Sequence, residues 1–272
     1  MISPPLFAVA DGMGGAKAGE IASRLAAAAV REEDGERVDV AELIREANRR
    51  VFERARDDAS ASGMGTTMTV ALVEDDYVTI GHVGDSRAYR LRDAALEQLT
   101  EDHSLVAELV RSGKLSPEDA VSHPQRSVIT RALGPDPDVD VDTFTVDVQS
   151  GDVFLLCSDG LTTMVGDERI VDVVAEHRDD LDRAAKQLIS DANRAGGEDN
   201  VTVVFFEIVE ADETARMPAV GSEDEETLTE VEDVPVIETV EERRVRLAAL
   251  VPMVVVLAAV ATVVLLVLMD VI

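Results

Sequence analysis

Three apolar runs in this chain each stop at an aspartate, and a fourth aspartate stands just ahead of a fourth run. Phe7-Ala8-Val9-Ala10 leads into Asp11-Gly12-Met13-Gly14-Gly15, and residues 77–84 lead into Asp85-Ser86-Arg87. Residues 153–157 lead into Ser158-Asp159-Gly160-Leu161, while Glu198-Asp199-Asn200 precedes the run at 201–206. Short apolar runs bounded by turn residues read as buried strands. Glycine beside the carboxylate lets the backbone turn sharply and lets a carbonyl approach a bound ion. Oxygen donors of this kind suit a hard cation such as magnesium or manganese. Any one of these segments alone is equally a structural turn. Gathered together without cations, Asp11, Asp85, Asp159 and Asp199 would repel one another, so convergence would imply two or more divalent ions.

The intervening residues read as a mixture of helices and antiparallel strands. Residues 16–32 carry Ile21, Leu25, Ala28 and Ala29 at helical spacing, and 40–56 carry Leu43, Ile44, Ala47 and Val51. Residues 66–74 and 77–84 are β-branched runs joined by a tight turn at Asp75-Asp76, which predicts a hairpin. From 102 to 133 the character changes: a helix is expected around Leu105, Leu109 and Val110, and Ser116-Pro117 marks another helix start. This stretch is either a mobile flap over a site or a structural insertion. Helices at 168–176 and 181–194 precede the last run.

Composition excludes several functions. With 55 acidic against 25 basic residues and a net charge of −30, the surface repels nucleic acid. Cys157 is the sole cysteine and lies in an apolar run, which disfavours both a disulfide and a cysteine nucleophile. There is no HExxH, no His/Cys cluster and no GxxxxGK[ST] loop. Residues 210–246 read as an acidic disordered linker, rich in Asp and Glu and poor in large apolar groups. Residues 247–269 are 23 residues without a charge, ~34 Å as a helix and long enough to cross a bilayer. Arg243, Arg244 and Arg246 flank that span on its N-terminal side. The positive-inside rule then predicts a single-pass membrane protein with residues 1–209 on the cytoplasmic side.

Taken in order, Asp11-Gly12-Met13-Gly14-Gly15, Gly63-Met64-Gly65-Thr66-Thr67, Val83-Gly84-Asp85-Ser86-Arg87, Ser158-Asp159-Gly160-Leu161 and Glu198-Asp199-Asn200-Val201-Thr202 resemble the motifs of a known family. They are similar to the bacterial-type PPM family, the metal-dependent type 2C Ser/Thr protein phosphatases, over residues 5–209. The resemblance implies an α+β fold, an α-β-β-α sandwich of two antiparallel sheets flanked by helices, to which the C-terminal transmembrane helix would be added. It implies two manganese or magnesium ions held by Asp11, the Gly12 carbonyl, Asp159 and Asp199, and a third, weaker one held by Asp85 with Asp159. The implied reaction is hydrolysis of phosphoserine or phosphothreonine by a metal-activated water, with no covalent intermediate. Phosphoproteins, Ser/Thr kinases and their substrates are the implied partners.

Two departures qualify the resemblance. Family members carry a strand before the first Asp-Gly motif, with a phosphate-binding Arg and an Asn-Glu-Asp motif; here Met1 precedes Asp11 by ten residues. A truncated start is therefore expected, together with an unpaired sheet edge beside the first strand. Met13 stands where some members have a His general acid, and a thioether donates no proton. The competing expectation is a metal-binding adaptor that recognises phosphoproteins without turning them over.

Overall fold

A computed structural model describes residues 1–3, 5–32, 38–74 and 76–209. The predicted linker at 210–246 and the predicted span at 247–269 lie outside them. No helix among the described residues is long and apolar enough to cross a membrane.

The chain opens with β1 (Ile2–Ser3), β2 (Leu6–Val9) and β3 (Gly12–Met13), followed by α1 (Ala16–Arg31) and α2 (Val40–Asp57). Five strands come next: β4 (Gly65–Thr66), β5 (Met68–Val73), β6 (Tyr77–Val83), β7 (Arg87–Arg92) and β8 (Ala95–Gln98). Two short helices, α3 (Leu105–Arg111) and α4 (Pro117–Val121), precede β9 (Asp142–Asp147) and β10 (Val153–Cys157). The last elements are α5 (Asp159–Thr162), α6 (Asp167–Glu176), α7 (Leu181–Ala195) and β11 (Val203–Glu207).

Side-chain alternation sorts the strands into layers, because successive residues of a strand face opposite sides. One large sheet has the order β1-β2-β5-β6-β9 and the other β11-β10-β7-β8, β3 and β4 form a separate two-stranded sheet, and every pairing is antiparallel. Leu6 and Ala8 of β2 turn outward with Met68, Val70 and Leu72 of β5, onto Ala26, Leu43, Ile44 and Ala47 of α1 and α2. Leu155 and Cys157 of β10 turn the other way, onto Leu161, Ile170, Val173 and Leu188 of α5–α7. Between the sheets lie Phe7, Val9, Ala71, Ile80, Phe154, Leu156, Val204 and Phe206. The four layers are those of the expected α-β-β-α sandwich. Asp39 and Asp180 start α2 and α7 by accepting from main-chain N–H groups of the first turn.

Three aromatic rings tie the sheets together. Phe206 stacks on Phe7 at 4.3 Å and on Phe154 at 4.9 Å. These rings belong to β2, β10 and β11, the strands next to Asp11, Asp159 and Asp199.

Several details differ from the sequence-based expectation. β8 and β9 are not evident in the sequence, since both are edge strands whose outward residues are polar. In β9 only Phe144 and the neighbouring Val148 and Val141 lean on apolar clusters. Asp159 opens a short helix, α5, and the last strand begins at Val203, so Asp199 lies four residues ahead of it. The edge beside β2, expected to be unpaired, is occupied by Ile2 and Ser3 of β1, paired with Phe7 and Leu6. Cys157 is buried, and burial pushes its thiol up to about 12, as befits an inert core side chain.

Phe206→Ala should remove the ring shared by both stacks and lower the unfolding free energy by roughly 3–5 kcal/mol. Phe206→Leu should cost about half of that. Denaturant titration of the two variants checks this, and equal stability of wild type and Phe206→Ala would refute it.

Candidate metal centre

All four predicted aspartates stand at one end of the sandwich. Asp11 lies two residues beyond β2 of one sheet, and Asp85 sits in the turn from β6 to β7. Asp159 follows β10 of the other sheet by two residues, and Asp199 precedes β11. Their charges are felt mutually. The Asp11 carboxyl is pushed up to about 7, by burial first and then by Asp159, Asp199 and Asp85. Asp85 is also raised to about 7, by burial and then by Asp159 and Asp102. Asp159 is raised by burial and by Asp199, and it is close enough to Asp11 to share a proton.

The donor set fits a hard cation. Among the described residues, Asp159 Oδ1 is the one buried side-chain oxygen or nitrogen without a hydrogen-bond partner. A buried carboxylate oxygen left so costs free energy unless a cation satisfies it. Arg87, whose positive charge acts on Asp85 and Asp159, is already engaged: its Nε and Nη2 donate to Asp102 at 2.9 and 2.7 Å, and its Nη1 donates to the Tyr89 hydroxyl at 3.1 Å. The carboxylates do not form a closed cage, however. Among the described residues no three His, Cys, Asp or Glu side chains are gathered in metal-holding geometry.

The motif residues around the aspartates act on the main chain. The Asp11 N–H donates to Thr67 Oγ1 at 3.0 Å, and its carbonyl accepts from the Thr67 N–H and from Thr66 Oγ1, each at 2.8 Å. Thr67 Oγ1 in turn shares a 2.7 Å hydrogen bond with Ser86 Oγ, so the Asp11 and Asp85 turns are linked through two hydroxyls. Close approach of main chain demands glycine beside Asp11 and beside Asp159. A Cβ on Gly12 would lie 1.9 Å from the Gly19 carbonyl oxygen of α1, and one on Gly160 would lie 2.4 Å from the Asn200 carbonyl oxygen. Ser158 Oγ donates to that same Asn200 oxygen at 3.0 Å and accepts from the Thr202 N–H at 3.0 Å. The Asp159 and Asp199 loops are thereby laced together, and one Asp199 oxygen accepts from the Asn200 N–H at 2.7 Å.

A cleft of about 680 Å³ runs from Asp85 and Asp159 beneath α3 and α4, with Val106, Val110, Val121 and Arg126 along it. The stretch that reads equally as flap or insertion thus forms one wall of a cavity that opens on the site. Sequence reading placed the aspartates but missed the Thr67–Ser86 link and the Arg87–Asp102 pair. Their only signal was the polar residues repeated within the motifs.

Residues 3–194 match the model of the family described as Protein phosphatase 2C. The serine/threonine phosphatase stp of Listeria welshimeri is 42% identical over 213 residues, which cover 75% of this chain and 84% of that one. Protein phosphatase PhpP of Streptococcus pneumoniae is 39% identical over 217 residues, covering 76% and 87%. A crystal structure of the catalytic domain of the serine threonine protein phosphatase PstP, in complex with two manganese ions, superposes with a TM-score of 0.68 at 37% identity. It covers 75% of this chain and 88% of that one. Fold, site and comparisons agree: the chain belongs to the protein phosphatase 2C family. By class it is a serine/threonine phosphatase.

The raised carboxyls set a sign for stability in metal-free protein. Asp11 binds its proton more tightly folded than unfolded, so its favourable contribution is full below about pH 4. That contribution is lost as pH rises through about 7. At pH 8 in chelator, Asp11→Asn should therefore be more stable than wild type, by on the order of 1–3 kcal/mol, and should no longer be stabilised by added Mn²⁺. Thermal unfolding with and without Mn²⁺ checks both halves.

Proposed function

We propose that this chain removes phosphate from phosphoserine and phosphothreonine residues of proteins, using two manganese or magnesium ions and a third held more weakly. The observation that carries this reading is the convergence of four carboxylates, one with a buried, partnerless oxygen, at the end of a two-sheet sandwich. Asp11, Asp159, Asp199 and the Gly12 carbonyl would hold the two ions, and Asp85 with Asp159 the third. Ions bound there supply an acidified water and neutralise phosphate charge.

The chain's own groups do the rest. Thr66 and Thr67 hold the Asp11 main chain by three hydrogen bonds, so the carboxylate stays aimed while charge changes around it. Met13 has no proton to give, so the departing serine or threonine oxygen takes its proton from water or another group. Arg87, forked onto Asp102, braces the wall of the site instead of reaching for phosphate. The cleft beneath α3 and α4 gives the substrate polypeptide a route to Asp85 and Asp159. Ser/Thr kinases and their targets are the natural source of such substrates.

Mn²⁺-dependent phosphate release from a phosphothreonine peptide tests this reading, and Asp159→Ala should lower kcat by about 10²–10³-fold. Retained peptide binding with no release from wild type would replace the enzyme by an adaptor.

The same proposal places the enzyme on the cytoplasmic side of a membrane. It is supported by the 23 uncharged residues at 247–269 and the arginines at 243, 244 and 246. Cells expressing the full chain should yield it in the membrane fraction after alkaline carbonate washing. Deleting residues 247–272 should release it with kcat/KM unchanged, whereas a full chain that stays soluble would defeat the tether.

A further inference from the structure

His103 is buried at the root of the segment that carries α3 and α4, and none of the roles above uses it. Its main chain and its ring both hold Gly84, the residue immediately before Asp85. The His103 N–H donates to the Gly84 carbonyl at 2.7 Å, and the Gly84 N–H donates to His103 Nδ1 at 3.0 Å. Both main-chain polar groups of Gly84 are therefore taken by one residue. Gly84 needs such a hold, because its φ of 114° lies in the left-handed region and swings the chain from β6 into the Asp85 turn.

The hydrogen bonds also decide the state of the ring. A main-chain N–H can only donate, so Nδ1 must carry a lone pair and the proton of the neutral ring lies on Nε2. Nε2 faces Asp142 Oδ2 at 3.0 Å, an acceptor, which completes the assignment. Asp142 is steadied from its other oxygen by Arg131 Nη1 at 2.5 Å. The same root ties down both ends of the α3–α4 segment. The Thr130 N–H donates to the His103 carbonyl at 2.9 Å, and the Leu105 N–H donates to the Val128 carbonyl at 2.9 Å. The His82 ring lies 4.8 Å away, tilted by 33°.

We propose that His103 is a positioning residue: its Nδ1 lone pair and main-chain N–H fix Gly84, aim the Asp85 carboxylate at Asp159, and couple that aim to the root of the α3–α4 segment. Loss of the ring acceptor leaves Gly84 held by one hydrogen bond and lets Asp85 drift from its partner. The weakest-binding divalent ion, the one assigned to Asp85, should feel this first. The inference rests on the metal assignment above, but its main readout is ion binding, which is independent of turnover.

The test compares His103→Ala with His103→Asn, since Asn Oδ1 takes the place of Nδ1 as an acceptor for the Gly84 N–H. Calorimetric titration with Mn²⁺ should show the weakest site of His103→Ala loosened about tenfold, in the range expected for an outer-shell partner. The tighter sites should stay unchanged, and His103→Asn should return the weak site to within about twofold. In phosphopeptide assays kcat should fall for His103→Ala at limiting Mn²⁺ and recover at saturating Mn²⁺, with KM for the peptide unchanged. A lowered thermal midpoint with an unaltered Mn²⁺ isotherm overturns the proposal and leaves a merely structural histidine. Equal loss of the weak site in the Ala and Asn variants overturns it too. Failure of the phosphatase reading would look different: the isotherms would move as described, but wild type would release no phosphate.

Discussion

Everything at the site depends on the contact between the two sheets. The Phe7, Phe154 and Phe206 rings stack where β2, β10 and β11 face each other, and those three strands lead to Asp11, Asp159 and Asp199. Burying such rings is strongly favourable and geometrically selective. A stack with fixed ring spacing also fixes the strand ends a few residues away. The carboxylates are thus brought together by hydrophobic and aromatic packing in spite of their charge. No attraction among them contributes.

That opposition explains the rest of the local architecture. Crowding and burial raise the proton affinities of Asp11, Asp85 and Asp159, and the Arg87 guanidinium beside them is held by Asp102. A chain that gathers like charges must hold their main chains rigidly, or the loops would spread. Thr66, Thr67 and Ser86 do so for Asp11 and Asp85. Ser158, Thr202 and the close approach of Gly160 to Asn200 do so for Asp159 and Asp199. Stability given up to the gathered charge is available again as affinity for divalent cations.

Legibility in the sequence followed burial. The strands that carry the aspartates were readable because they are apolar runs that end at turn residues, and α1, α2, α6 and α7 because one face of each is apolar at helical spacing. β8 and β9 were not, since an edge strand with polar outward residues looks like loop. Asp142 illustrates the cost: it reads as one more residue in an acidic stretch, yet it lies on β9 and accepts from His103 and Arg131. The edge beside β2 escaped notice for a related reason, because two residues are too few to show any alternation.

By itself the sequence determined the chemistry on offer: oxygen ligands at strand ends, glycines where main chain must come close, no reactive cysteine and no histidine cluster. It determined the layer pattern as well, because alternation within each strand dictates which residues face a helix and which face the other sheet. Only the tertiary structure decided which groups meet. Arg87 is spent on Asp102, His103 grips Gly84 from 19 residues away, and Asp159 Oδ1 is left without a partner. These are contacts between residues distant along the chain, set by sheet packing and turn geometry, and no local pattern of residues encodes them.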